Sequence, residues 1–168
     1  ATGVTAIPDQ LTYAGGDTYF MASNGGTIQK STDNGATWTT VHSGSSILAG
    51  IDFYDMNTGF AVGDDIVLKT TDGGATWRTI TVANSPGPIW RDVAWLDADH
   101  VTLVGTPEMI FTSEDGGETF PINNMGTSTF NEALYEVVYT SNGRGFIFGS
   151  QGVMFRKESE TNTYSIQS

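Results

Sequence analysis

The sequence predicts an all-β fold of about four units, each a four-stranded antiparallel sheet. Three observations predict it: a turn motif that recurs at a near-constant interval, β-forming runs that keep step with it, and a composition suited to short strands. Gly accounts for 21 of 168 residues and charged residues for only 15%. Such a chain, rich also in Thr, Val and aromatics, favours strands and tight reversals over helices. No stretch keeps a helical period beyond two turns.

The motif reads Ser31-Thr32-Asp33-Asn34-Gly35-Ala36-Thr37-Trp38, then Thr70-Thr71-Asp72-Gly73-Gly74-Ala75-Thr76-Trp77, then Ser113-Glu114-Asp115-Gly116-Gly117-Glu118-Thr119-Phe120. Its aspartates are 39 and 43 positions apart. A fourth copy is expected at Ser159 to Tyr164. There Thr163-Tyr164 keeps the ending, but Ser159 replaces the Asp and Thr161 the Gly, so this copy is degenerate.

The β-runs upstream repeat as well. Ile51-Asp52-Phe53 aligns with Val93-Ala94-Trp95 and Val137-Val138-Tyr139. Gly59 to Gly63 aligns with Val101 to Gly105 and Gly145 to Gly149, and Ile66 to Lys69 with Met109 to Thr112 and Val153 to Arg156. A fourth run, such as Thr76 to Val82, follows the motif. The first unit supplies Thr18 to Ala22 and Thr27 to Lys30, with its first run at Gln10 to Ala14. A four-stranded meander repeated every ~40 residues is the pattern of a β-propeller blade, and such blades bury their faces only by stacking. The units are 1–43, 44–83, 84–124 and 125–168, within a single propeller-like domain that is a small or partial propeller.

In each motif the Asp carboxylate can accept from N–H groups of its own turn, as in Asx turns. Gly35, Gly74 and Gly117 permit φ > 0 at the reversal, the Thr hydroxyl can tie the turn to the next strand, and Trp38, Trp77 and Phe120 pack beneath the blade. One acid per repeat suits a structural clamp better than an active site. Asp33, Asp72 and Asp115 are therefore expected to be structural.

The pattern S/T-x-D-x-G-x-T-W/F resembles the Asp-box, or BNR, repeat of sialidases, sortilin-type receptors and secreted glycosidases. The fuller unit, from Ile51 through Gly63 and on to Trp77, is most similar to the photosystem II stability/assembly-factor-like family of lumenal and periplasmic propellers. The similarity covers residues ~18–158. It implies a protein-interaction or scaffold role, as an accessory or assembly subunit on the periplasmic or lumenal side of a photosynthetic membrane complex. Two features depart from the family: its members have about seven blades, and their binding face carries Arg, whereas this chain has only Arg78, Arg91, Arg144 and Arg156.

Charge narrows the partners. With 7 basic against 19 acidic residues the net charge is −12, which disfavours nucleic acid and anionic membrane surfaces. Without Cys there is neither a disulfide framework nor thiol chemistry. No apolar run is long enough to span a bilayer. The small polar start, Ala1 to Pro8, fits a mature chain after leader removal or a boundary of another kind; an extracytoplasmic location, peripheral to a membrane, is expected. His42 and His100 lack metal spacing, and the Asp97-Ala98-Asp99-His100 turn offers too few oxygens for calcium. Neither a metal nor a cofactor is expected. A sialidase-like site needs an Arg trio and a Tyr–Glu pair; Tyr135 and Glu136 are adjacent, and in a strand adjacent side chains point to opposite faces. The chain is therefore expected not to be an enzyme, with a sialidase-like glycosidase fragment and a virion or tail structural protein as the competing readings.

Binding is expected on the face bearing the inter-unit loops, Ser43 to Leu48, Ala83 to Arg91 and Asn123 to Leu134, and the loops between second and third strands. Candidate partner-binding residues are Trp90, Arg91, Asp64, Asp65, Glu108, Met125 and Phe130. The competing reading puts Trp90 and Phe130 in the core as plugs. Four units leave open edges, so the chain closes a small ring on itself, docks on a larger assembly, or forms a homo-oligomer that completes a ring.

Overall fold

The computed structural model describes residues 7–82, 87–107, 109–121, 132–158 and 164–167. Within them the protein is all-β except for one 3-10 turn, Ser150–Gly152. Blade 1 is β1 (Pro8–Gly15), β2 (Thr18–Ser23), β3 (Thr27–Ser31) and β4 (Thr39–Ser43). Blade 2 is β5 (Leu48–Phe53), β6 (Gly59–Gly63), β7 (Ile66–Thr70) and β8 (Arg78–Thr79). Blade 3 is β9 (Ile89–Trp95), β10 (Val101–Thr106) and β11 (Met109–Ser113); blade 4 is β12 (Leu134–Tyr139), β13 (Gly145–Gly149), β14 (Met154–Lys157) and β15 (Tyr164–Gln167). Every sheet is an antiparallel meander in chain order. This is the strand arrangement of propeller blades. Among the described residues no helix is long and apolar enough to cross a membrane.

The chain divides into two compact units, Ala1–Thr81 with blades 1 and 2 and Val82–Ser168 with blades 3 and 4. Each has its own core. In the first, Phe20, Ala22 and Ile28 of blade 1 meet Leu48, Ile51, Phe53 and Leu68 of blade 2. In the second, Ala94, Val104 and Ile110 of blade 3 meet Leu134, Val137, Ile147 and Phe155 of blade 4. Of the second strands, β6 is buried along its whole length. This explains why its sequence, Gly-Phe-Ala-Val-Gly, is apolar without alternation.

Two irregularities recur at the same place in every blade or nearly so. Each first strand carries a β-bulge near its start, whose extra residue is Asp9, Ala49, Arg91 or Tyr135 in blades 1 to 4. Opposite it, at or next to the end of the second strand, blades 2, 3 and 4 carry Gly63, Gly105 and Gly149. A Cβ at these three glycines would run into the carbonyl oxygen of Ile47, Ile89 and Ala133 respectively. Only Gly lets the bulged backbone come that close.

Blade-to-blade contact also repeats, with its chemistry changed between the units. Strand register makes Gln10 and Asp92 equivalent, and likewise Ile51 and Val137. The Gln10 Oε1 accepts the Ile51 N–H, and the Asp92 Oδ2 accepts the Val137 N–H at 2.9 Å. Beside this bond, Phe20 stacks on Phe53 at 3.9 Å, and Phe53 meets Trp77 edge-on. The equivalent three positions in the second unit are Thr102, Tyr139 and Tyr164. Their hydroxyls form a chain, Thr102 to Tyr139 at 2.7 Å and Tyr139 to Tyr164 at 2.6 Å. One position is filled by a stacked ring and the other by a hydrogen-bonded cluster.

The two solutions respond differently to truncation. Phe20→Ala removes a fully buried ring and should cost about 3–5 kcal/mol, whereas Thr102→Ala should cost nearer ~1 kcal/mol. Urea denaturation of both variants checks the order.

Candidate partner-binding site

The Asp-box carboxylates are the most conspicuous acidic groups, so their geometry comes first. In box one, Asp33 Oδ1 accepts from Ser31 Oγ and Thr37 N at 2.8 Å each, and Oδ2 from Thr37 Oγ1 at 2.6 Å. Asp72 takes the same three bonds from Thr70 and Thr76 at 2.8, 2.9 and 2.6 Å. Asp115 takes them from Ser113 and Thr119 at 2.7, 2.9 and 2.6 Å. The leading Ser31, Thr70 and Ser113 hydroxyls meanwhile accept the N–H of Gly35, Gly74 and Gly117. These glycines sit at φ 82, 79 and 81, each after a residue that is itself left-handed. The box Thr hydroxyl thus closes on its own Asp rather than on the next strand.

Each box is also fastened to the first turn of its own blade. Asn34 N donates to Asp17 O, Gly73 N to Asn57 O and Gly116 N to Asp99 O. The aromatic ends differ. Trp38 Nε1 bonds Gly35 O at 3.1 Å, Trp77 lies against Phe53, and Phe120 is buried. Degenerate residues 159–163 lie outside the described residues; Tyr164 is described in the hydroxyl cluster.

Donors surrounding each carboxylate stabilise its ionised form. The Thr37 side chain and backbone, with Ser31, hold Asp33 at about 2, down from 3.8. Thr76 and Thr70 do the same for Asp72. At Asp115 burial pushes upward, but Thr119 and Ser113 outweigh it and the group again lies at about 2. Such groups stay ionised at neutral pH with their lone pairs engaged, which makes them poor general acids. Among the described residues no group of three or more His, Asp or Glu could hold a metal. His100 Nδ1 lies 2.8 Å from Asp97 Oδ1, which also accepts the His100 and Asp99 N–H groups and so closes a turn.

The opposite ends of the blades carry the bulges and the loops between second and third strands. In the first unit, Asp64 is half-buried with its N–H on Ile47 O at 3.0 Å, and Asp65 is exposed at φ 53. In the second unit Trp90 is only 1% exposed and meets Phe111 edge-on at 5.4 Å. It fills core rather than surface, the second of the two readings of its sequence position. Its neighbour Arg91 is the bulge residue. Arg91 is half-buried, and its Nε is buried with no hydrogen-bond acceptor among the described residues. Glu108, Met125 and Phe130 lie outside the described residues.

Sequence reasoning missed two features of this end. Tyr135 is the bulge residue of β12, so strand alternation does not hold there, and Tyr135 and Glu136 are both exposed. β12 packs against β9, which puts the Arg91 and Tyr135 bulges at the same end of neighbouring strands. In blade 4 a cavity of about 300 Å³ is lined by Glu132, Ser150, Gln151, Gly152, Val153, Ile166 and Gln167. Glu132 anchors its wall, accepting from Ser150 Oγ and from Gln151 Nε2 at 3.1 Å. The only sequence signal for this end was the loop length before each first strand.

The model of the photosynthesis system II assembly factor YCF48 family matches residues 79–158. The chain is an Asp-box (BNR) propeller-type protein, and residues 79–158, a little under half of it, are similar to that assembly-factor family. A solved structure of YCF48 bound to D1 peptide is 18% identical, with a TM-score of 0.75 over 96% of this chain and 54% of its own. YCF48 from Cyanidioschyzon merolae is 15% identical, with a TM-score of 0.74 over 99% of this chain and 58% of its own. The chain thus spans little more than half the length of either. A GH74 enzyme from Niastella koreensis is 18% identical, with a TM-score of 0.71 over 95% of this chain but 30% of its own. These likenesses establish the fold. No curated protein matches the chain.

Because the Asp-box carboxylates lie below their unfolded value, the unfolded chain takes up protons first as pH falls. Their stabilisation is present above about pH 4 and is lost as pH falls toward about 2. Urea midpoints measured from pH 6 to 2 should fall more steeply for the native sequence than for Asp72→Asn, which starts lower.

Proposed function

We propose that this protein is a non-catalytic interaction module, an accessory or assembly subunit that docks on the periplasmic or lumenal side of a photosynthetic membrane complex. In this reading it recognises an extended peptide of that complex. The observation that carries it is the paired bulges of the second unit, inside the segment that the assembly-factor family model matches. There a guanidinium with an unfilled Nε donor and an exposed phenol stand at one end of adjoining strands.

The chemistry suits a peptide. The half-buried Arg91 guanidinium can donate to a carbonyl or carboxylate, and Tyr135, 52% exposed, offers a flat amphipathic contact of the kind that anchors interfaces. A basic or neutral segment meets no charge barrier on a chain of net charge −12. The related structure bound to D1 peptide supports a peptide from that complex as the ligand to try first. The extracytoplasmic location rests on the same relationship.

The Asp-box carboxylates are engaged as acceptors, and Arg144 and Arg156 both pair with Glu158. That arrangement supports the non-catalytic reading over a glycosidase one.

Titration of the purified protein with synthetic D1 peptide should give saturable binding. Arg91→Glu and Tyr135→Ala should each weaken it about tenfold or more, ~1.4 kcal/mol, with unchanged circular dichroism. Undiminished affinity in both variants contradicts the site, and hydrolysis of xyloglucan or a sialoside contradicts the non-catalytic reading.

A further inference from the structure

The contact that joins blade 1 to blade 2 can be reduced to a pattern of positions. On the forward side, blade 1 offers an acceptor at Gln10, a ring at Phe20 and a cation at Lys30. Gln10 takes the Ile51 N–H. Phe20 stacks on Phe53 and lies so close to the second box that a Cβ on Gly74 would come within 2.7 Å of it. Lys30 Nζ sits 5.2 Å above the Phe20 ring and donates to Gly73 O at 2.8 Å. On the receiving side stand the edge N–H of a first strand, the aromatic of that strand and the glycine turn of an Asp box. Gly73 and Gly74 are buried as a result.

Strand register carries these positions into blade 4. Gln10 corresponds to Glu136, Phe20 to Phe146 and Lys30 to Arg156. Blade 4 thus has an acceptor, a ring and a cation in the forward positions. Around them the face is open: Val138 and Phe148 are 37% and 40% exposed, and Glu136 and Arg156 are exposed. At the other end of the repeat, blade 1 has the receiving set. Leu11 corresponds to Ile51, Tyr13 to Phe53, and Asn34-Gly35 to Gly73-Gly74. Leu11 and Tyr13 are 54% and 56% exposed, and Asn34 is exposed where Gly73 is buried.

We infer that the forward face of blade 4 docks the receiving face of blade 1 in a second copy of this chain, continuing the blade-to-blade interface. Each side supplies what the other lacks. Glu136 can accept the Leu11 N–H, Phe146 can stack on Tyr13, and Arg156 can reach the Asn34 carbonyl. Arg156, which pairs with Glu158 in its own blade, then also approaches Asp17, whose carboxylate already holds Asn34 Nδ2 at 2.9 Å. Covering Phe148 and Val138 removes an open apolar sheet face of the kind that drives edge-to-edge association. The contact is head-to-tail, so two copies related by a two-fold axis would make it twice. This inference does not rest on peptide binding at Arg91 and Tyr135, which lie on bulges rather than on these faces.

The chain has no Cys, which makes the test direct. Tyr13→Cys and Phe146→Cys are prepared as two separate single-Cys proteins, mixed, and treated with a short bis-maleimide. A cross-linked product of twice the chain mass that contains one copy of each is expected, and neither protein alone should give it in comparable yield. Sedimentation of the unmodified protein should show a dimer that dissociates on dilution. Its fraction should rise with added salt, because two chains of −12 repel. Phe148→Glu should return the protein to monomer with unchanged circular dichroism. A monomer at every concentration and salt level overturns the inference. So does cross-linking confined to one chain when both cysteines are placed in it, or retention of the dimer in Phe148→Glu.

Discussion

Every blade begins with a strand whose outer edge has no neighbour in its own sheet, and the packing of this protein depends on how that edge is answered. An edge strand leaves N–H groups that must find acceptors if they are buried. Here the acceptor is a side chain from the preceding blade, Gln10 for Ile51 and Asp92 for Val137. The side chain comes from the residue just before the apolar pair, and in blade 1 Thr12, two residues on, also reaches across to Asp52 Oδ1 at 3.1 Å. The bond to the edge N–H fixes the height of one blade against the next. With that height set, Phe20 reaches Phe53 in the first unit and Thr102 reaches Tyr139 in the second.

The Asp box acquires a second purpose from this arrangement. Its carboxylate organises the turn locally, through donors that draw the group's proton affinity well below the usual carboxylate range. The same turn then presents glycine backbone to the blade before it, as box two does for Phe20 and Lys30. A larger residue than Gly at position 74 would strain a backbone at φ 79 and strike the Phe20 ring. At position 74 Gly therefore answers two constraints, conformation and close approach.

Much of the fold could be read from the residues, and the reasons are local. Asp, Gly, Thr and an aromatic at fixed offsets are what this turn requires, so three boxes stood out. The apolar second strands also stood out, and in β6 burial along the whole length leaves no polar alternative. Other features had no such signature. Gln10 and Asp92 do the same thing with different side chains, since any carbonyl or carboxylate oxygen can accept an N–H. The fourth run of blade 2, expected over Thr76 to Val82, forms a strand only at the exposed Arg78–Thr79, with Ile80 alone buried beyond it and its N–H on Val67 O at 2.8 Å. β1 runs Pro8–Gly15, longer than Gln10 to Ala14, because its outward residues are polar or exposed and blur the alternation. Tyr164 read as the remnant of a decayed box, yet its hydroxyl belongs to the cluster joining blades 3 and 4. The candidate site was legible only as a face: a bulge displaces Arg91 and Tyr135 from simple alternation, and nothing in a single sequence announces the extra residue.

The central claim is that side-chain acceptors hold the blade edges, and amide hydrogen exchange tests it most directly. The Val137 N–H, on an outer edge and bonded only across blades to Asp92 at 2.9 Å, should exchange as slowly as amides inside the sheets. Asp92→Ala should accelerate Val137 selectively while the Ile51 amide, held by Gln10, stays protected. Fast exchange of Val137 in the native sequence, or protection unchanged in Asp92→Ala, would contradict the account.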